Sequence, residues 1–421
     1  MKILMICDFF HENQQYQENL LAKYYIKHGH DVTIIASTFT SVFDYYADNY
    51  DKKSKIQCSN IKGYKLLRLP YSINIYNKLR KLKNLRKYLQ AELPDLIYVH
   101  GIPLNLIDSV SYKNKNPGCK LIFDFHGDFS NSANNWLSLN VLHGIFYRVV
   151  MKMYFKKLDK IFYITPNGGK FLNKVYGIPY SHMSILPLGA DTDYINLIKT
   201  KETNIRIREE LGINRNDFVI FSGGKLIREK KIELVIQSFF LIKSTAAHLI
   251  IVGDTKDETY KKEILGLINS HPRIHYIGWV DGERVYDYMY TCNVAVFPAS
   301  QSVLWQQAIG VGLSLIIGQS DGQDATYLNK NNSIFIIEKN LVTAEKIYDF
   351  LKLLMDDQKL LISMKKRAGC LTTIMCQPTW LLKVSQSIFP IFTARANLIS
   401  PPQRNLTVRM VIARCLISPC H

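Results

Sequence analysis

The sequence predicts an α/β fold built from two Rossmann-like domains that face each other across a cleft. Three observations support this. An apolar run at residues 2–7 leads through a helical pattern into a second apolar run at 32–36. The same alternation restarts near residue 218. The length of 421 residues allows two domains with full cores.

Residues 2–7 read as a strand buried on both faces of a parallel sheet. Leu20, Leu21, Tyr24 and Tyr25 then recur at helical spacing up to Gly29, and residues 32–36 return as a strand, completing a βαβ unit. Runs at 96–99, 120–125 and 160–164 extend the sheet, so residues 1–190 form the first domain. Two basic stretches, 77–90 and 147–160, read as amphipathic helices suited to an anionic lipid surface. In the second half, strands are expected at 218–222, 248–252, 274–277, 294–297 and 315–317, with helices at 232–242 and 260–268. This gives a second domain over 191–371, followed by residues 372–389 and an atypical basic tail over 390–421.

The chain has 53 Lys and Arg against 35 Asp and Glu, a net +18, which points to an anionic partner. Residues 359–421 have no acidic residue and hold four of the eight cysteines. Cys7, Cys58, Cys119 and Cys292 read as small buried hydrophobes, and no CxxC spacing suggests zinc or redox chemistry. Without a signal peptide or a membrane-length apolar run, the expected location is cytoplasmic, peripheral on the inner membrane face. No nucleic-acid module is recognisable, so no nucleic-acid partner is expected.

Two constellations have chemical potential. Ser222-Gly223-Gly224-Lys225-Leu226, followed by Lys230, puts glycines at a strand end, where backbone N–H groups approach a phosphate beside two cationic side chains. A second strand ends at Gly253. Residues 297–308 form a Pro/Ser-rich loop running into a helix, whose free N–H groups favour an anion.

In this order the motifs resemble the retaining nucleotide-sugar glycosyltransferases of family 4, which have the GT-B fold and serve bacterial surface-polysaccharide biosynthesis. The resemblance covers roughly residues 1–389, including 23–34, 175–191, 222–230 and 294–312, and His126 in Phe123-Asp124-Phe125-His126-Gly127-Asp128, and it implies that 372–389 is a final helix returning to the first domain. It implies that Lys225 and Lys230 hold the donor diphosphate and that Gly223, Gly224 and Gly253 shape its site. Ser302 and Val303 would offer backbone N–H groups, with Gln306 and Gln307 where the family carries a ribose-binding Glu. His126 would reach the sugar or phosphate from the opposing domain, and Asp128 would orient the acceptor hydroxyl. The implied activity is transfer of a hexosyl group, with retention, from a nucleoside-diphosphate sugar to a lipid-linked saccharide or growing polysaccharide. Neither cofactor nor metal is expected. The Asp191-Thr192-Asp193 sequence reads as structural rather than as a manganese site. The rival reading is a non-catalytic GT-B scaffold that binds nucleotide or partners without turnover. It rests on Gln in place of Glu and on the altered C-terminus, and residues 8–18 also replace the family's glycine-rich loop.

Overall fold

Apolar residues on both faces drive Lys2–Ile6 (β1) into the middle of a parallel sheet, where Ile3 to Ile6 are all buried. The computed structural model describes residues 1–46, 56–129, 132–133, 135–329 and 332–375. After β1 come Gln17–Lys27 (α1), Asp31–Ser37 (β2), Val42–Tyr46 (α2), Gln57–Ile61 (β3), Tyr64–Leu69 (β4), Tyr71–Ile75 (β5), Leu79–Leu82 (β6) and Leu85–Glu92 (α3). The first domain continues through Leu96–His100 (β7), Leu106–Lys115 (α4), Lys120–Phe125 (β8), Arg148–Tyr154 (α5), Lys160–Tyr163 (β9), Pro166–Lys174 (α6) and Met183–Ile185 (β10). Its main sheet has the order β10-β9-β8-β7-β1-β2-β4-β3, parallel except for β3.

The second domain comprises Thr192–Thr200 (α7), Thr203–Glu210 (α8), Phe218–Gly223 (β11), Ile232–Phe240 (α9), Ala247–Val252 (β12), Glu258–Asn269 (α10), Ile274–Gly278 (β13) and Arg284–Thr291 (α11). Val294–Phe297 (β14), Leu304–Val311 (α12), Ser314–Gly318 (β15), Ile334–Ile337 (β16), Ala344–Asp356 (α13) and Gln358–Met375 (α14) follow. Its six strands run β13-β12-β11-β14-β15-β16, all parallel. Numbered within the domain this is the order 3-2-1-4-5-6, whose direction reverses between β11 and β14; ligands bind at such a switch point. The first domain reverses likewise between β1 and β7. Buried aliphatic and aromatic side chains pack both faces of each sheet, so the strand ends sit on rigid cores.

The expected helix over 77–90 is not formed. Residues 71–82 instead make the antiparallel β5–β6 hairpin, and only α3 is helical. Tyr76 and Asn77 both have positive φ, and Lys78 N–H donates to the Ile75 carbonyl, closing a primed-type turn. Asn84, also at positive φ, then separates hairpin from helix. The expected helix over 147–160 is shifted: a π-helical stretch, Ser138–Tyr147, passes into α5 and then a 3-10 turn, Phe155–Lys157. Cys58, expected to be buried, is exposed on the edge strand β3, while Cys7, Cys119 and Cys292 are buried. The boundary placed at 371–372 falls inside α14, and residues 376–421, including the tail, lie outside the described residues.

The two aspartates of the Asp-x-Asp sequence tie the domains together. Asp191 is fully buried, caps α7 through Tyr194 N–H, and takes Lys23 Nζ of α1 at 2.5 Å. Tyr24 Oη lies 2.8 Å from Thr192 Oγ1, and Lys27 pairs with Asp193 at 2.7 Å.

Candidate functional site

Both predicted phosphate motifs lie at the β11/β14 reversal. Gly224, at φ 109°, donates its N–H to the Val252 carbonyl at 2.8 Å. Gly253, at φ 140°, packs so tightly on this turn that a Cβ there would fall 1.8 Å from the Gly224 carbonyl oxygen. The turn is therefore backbone against backbone, which only glycine permits. Gly223 precedes it at the end of β11 and does not line the cavity in front of the turn.

A cavity of 270 Å³ opens in front of the turn, lined by Gly224, Lys225, Lys230, Gly253, Ser302, Val303 and Gln307 among others. A Cβ built on Gly224 would come 3.3 Å from Lys230 Nζ and 3.7 Å from Ser302 Oγ, so these groups converge on one spot. Burial, reinforced by the neighbouring Lys225 charge, pulls the Lys230 ammonium down to about 8. Such a cation is poised for an anion that restores the lost solvation. Gln307 lines the cavity, and its Oε1 is buried without a hydrogen-bond partner. Gln306 is placed elsewhere. It is 1% exposed, with its side chain set against Tyr327 Oη at 3.0 Å within the packing behind the helix.

The first domain contributes a cavity of 730 Å³ at its own reversal point, between the loops after β1, β7 and β8. His126 lines it. Its Nε2 lies 2.9 Å from Asp124 Oδ2, which also accepts from Tyr98 Oη at 2.9 Å and has His100 Nδ1 at 3.4 Å. The two imidazoles lie in contact, their planes tilted by 54° and their centroids 4.1 Å apart. Burial alone would raise the fully buried Asp124, but His126 and His100 hold it well below the usual carboxylate range. Burial alone would depress His100, but Asp124, Glu18 and Asp8 together hold it above its ordinary value. Among the described residues, His100, Asp124 and His126 bring ligand-type atoms within 4.8 Å of one another. Asp124 Oδ2 is engaged by Tyr98 and His126, while Asp124 Oδ1 and His100 Nδ1 are buried without a hydrogen-bond partner. Asp128, 4% exposed, lies in the loop below and is not among the cavity-lining residues.

Sequence reasoning passed over several cavity residues. Arg80 is held by Asp8 at 2.5 Å and lies over the rings of Phe9 and Tyr45. Tyr71 donates to the same Asp8. His143, pushed down to about 4 mainly by burial, sits on the π-helical stretch between Tyr176 Oη and the Ser132 carbonyl. Arg80 was hidden by the misread helix; the Tyr76-Asn77 turn was the signal that could have exposed it.

Residues 19–194 match the sequence family described as Glycosyltransferase Family 4, and residues 203–369 match that described as Glycosyl transferases group 1. The chain belongs to these two glycosyltransferase families, one domain to each. The split between the two matches falls in the α7–α8 segment, and each match contains one of the two cavities' principal loops. Its fold is that of Anabaena HepE solved in complex with UDP, with a TM-score of 0.67 at 14% identity, covering 93% of this chain and 100% of that one. An uncharacterised glycosyltransferase of Methanocaldococcus jannaschii is 18% identical over 170 residues, 39% of this chain and 44% of that protein. The alpha-monoglucosyldiacylglycerol synthase of Acholeplasma laidlawii is 24% identical over 141 residues, 32% of this chain and 35% of that protein. The matched stretches thus span less than half the length of either curated relative.

Proposed function

We propose that this glycosyltransferase moves a hexosyl group from a nucleoside-diphosphate sugar to a lipid-linked saccharide, with retention and without a metal ion. The observation behind this reading is the convergence of Lys230, Ser302 and the Gly224 turn on a cavity adjoining the larger one that contains His126. Lys225 and Lys230 would hold the diphosphate, and their charge would offset the negative charge that grows on it as the glycosidic bond breaks. Ser302 and Val303 precede α12, so their N–H groups favour the distal phosphate. The buried Gln307 Oε1 has no partner and suits a ribose hydroxyl. The fold relative was solved in complex with UDP, which supports a nucleotide ligand for this reading. Calorimetric titration with UDP and with GDP tests the reading: micromolar binding of one, lost in Lys225→Ala, is expected. Absence of binding to both would favour the non-catalytic scaffold that binds partners instead.

The lipid-linked acceptor rests on the helical stretch through residues 136–157. It presents Trp136, Leu137, Ile145, Phe146, Val149 and Met153 outward, and Lys152, Lys156 and Lys157 are exposed at its end. No acidic residue occurs between Asp128 and Asp159. Leu142, His143 and Tyr147 of the same stretch line the acceptor cavity, so a face suited to the anionic inner membrane leaflet backs directly onto the site. No helix among the described residues is long and apolar enough to cross a membrane. Phe146→Glu with Val149→Glu is expected to lower co-flotation with anionic phosphatidylglycerol vesicles at least about tenfold. Unchanged flotation would remove the membrane from the proposal. The alpha-monoglucosyldiacylglycerol synthase named above is, by its name, a glycolipid-forming relative and supports a lipid-borne acceptor.

A further inference from the structure

Transfer of a sugar requires its anomeric carbon to lie on the donor diphosphate while an acceptor hydroxyl approaches the same carbon. The ring being transferred must therefore occupy the boundary between the two cavities. Three residues line both: Gln14 and Tyr16, from the loop after β1, and Trp279, directly after β13. We infer that Gln14, Tyr16 and Trp279 form the collar that selects which sugar is transferred. This assignment rests on the donor reading above.

Their chemistry suits a pyranose. Trp279 is 57% exposed and Tyr16 47%, large aromatic surface that a protein normally covers unless it meets a ligand or partner. Aromatic faces pack against the C–H face of a sugar ring. A Gln amide both donates and accepts, so Gln14 can read the orientation of a hydroxyl.

The collar is held rigidly from both sides. Lys62 Nζ donates to the Glu12 carbonyl at 2.8 Å, and Arg68 donates to Glu12 Oε1 at 2.7 Å and to the Phe10 carbonyl at 2.9 Å. Asn19 Nδ2 donates to the His11 carbonyl at 3.0 Å. Across the boundary, Gln15 Nε2 donates to Glu283 Oε1 at 3.0 Å. The same loop packs so closely on Gly282 that a Cβ there would come 3.0 Å from Gln15 N. Trp279 is anchored through its neighbour, since the Gly278 carbonyl accepts the Gly253 N–H at 2.8 Å. The backbone that carries the Trp279 ring is thereby tied to the phosphate turn. Side chains of residues 14–16 thus stand where a glycine-rich loop would leave only backbone, and they give this chain a selecting surface of its own.

The test measures affinities of UDP, UDP-glucose, UDP-galactose and UDP-N-acetylglucosamine, with GDP, GDP-mannose and GDP-fucose alongside. Wild type is compared with Gln14→Ala, Tyr16→Ala and Trp279→Ala; Trp279→Phe keeps a ring and controls for folding. Wild type is expected to prefer one sugar over the others on its nucleotide by about tenfold or more. Each alanine variant should bring the ratio within about threefold while still binding free nucleotide, and Trp279→Phe should retain most of the preference. Variants that keep the wild-type ratio, variants that lose free nucleotide as fully as the sugar nucleotide, or a wild type without preference would each overturn the collar. A wild type that binds neither UDP nor GDP would instead overturn the donor reading itself.

Discussion

Lys230→Ala is expected to reduce sugar transfer by about 10²–10³-fold, the loss seen when one preorganised stabiliser of transition-state charge is removed. Lys230 is half-buried beside Gly224 and Ser302, and no salt bridge to it occurs among the described residues. Burial and Lys225 hold it at about 8, below its ordinary value, so the fold bears a cost to keep it charged. That cost is present below pH of about 8 and is lifted as pH rises towards the unfolded value, because there the unfolded chain binds the extra proton. The variant should consequently fold at least as well as wild type, which separates a site effect from a stability effect. A bound diphosphate favours the ammonium, so nucleotide affinity should fall as pH rises through about 8, with proton uptake on binding. Calorimetry in buffers of different ionisation enthalpy would show this uptake in wild type and not in Lys230→Ala. Transfer at wild-type rate by the variant would remove Lys230 from the diphosphate site.

Gly253→Ala should cost about 3 kcal/mol or more of stability, among the larger effects of any single substitution. Two penalties act together: the φ of 140° is one that L-residues rarely adopt, and the new Cβ would collide with the Gly224 carbonyl oxygen. Relief requires β11 and β12 to separate at the ends that carry the phosphate turn, so nucleotide binding should fail along with stability. Urea unfolding of the variant tests this, and a wild-type midpoint would show that the turn yields without loss.

Much of the two-sheet architecture was legible because fully buried parallel strands leave unbroken apolar runs, as residues 2–7 and 248–252 do. The phosphate turn was legible for a related reason: adjacent glycines at the end of such a run have few other uses. The β5–β6 hairpin was not. Leu79, Leu82, Leu85 and Leu89 repeat at intervals that suit a helix, and only the left-handed Tyr76, Asn77 and Asn84 divide them otherwise. Pattern also could not separate Gln306 from Gln307. They are adjacent on one helix, and which faces the cavity depends on how α12 packs against Tyr327. Nor could it show Gln14, Tyr16 and Trp279 as neighbours, since 263 positions separate Tyr16 from Trp279 and only domain packing unites them.

The link between α1 and the start of α7 bears on protein engineering. The apparent seam for exchanging donor modules lies at residue 190, where the first sheet has ended. A chimaera cut there would keep Lys23, Tyr24 and Lys27 but discard Asp191, Thr192 and Asp193, leaving three side chains without the groups that hold them. The exchangeable unit therefore begins after Asp193, and a recombinant joined at that point inherits the native pivot together with its new specificity.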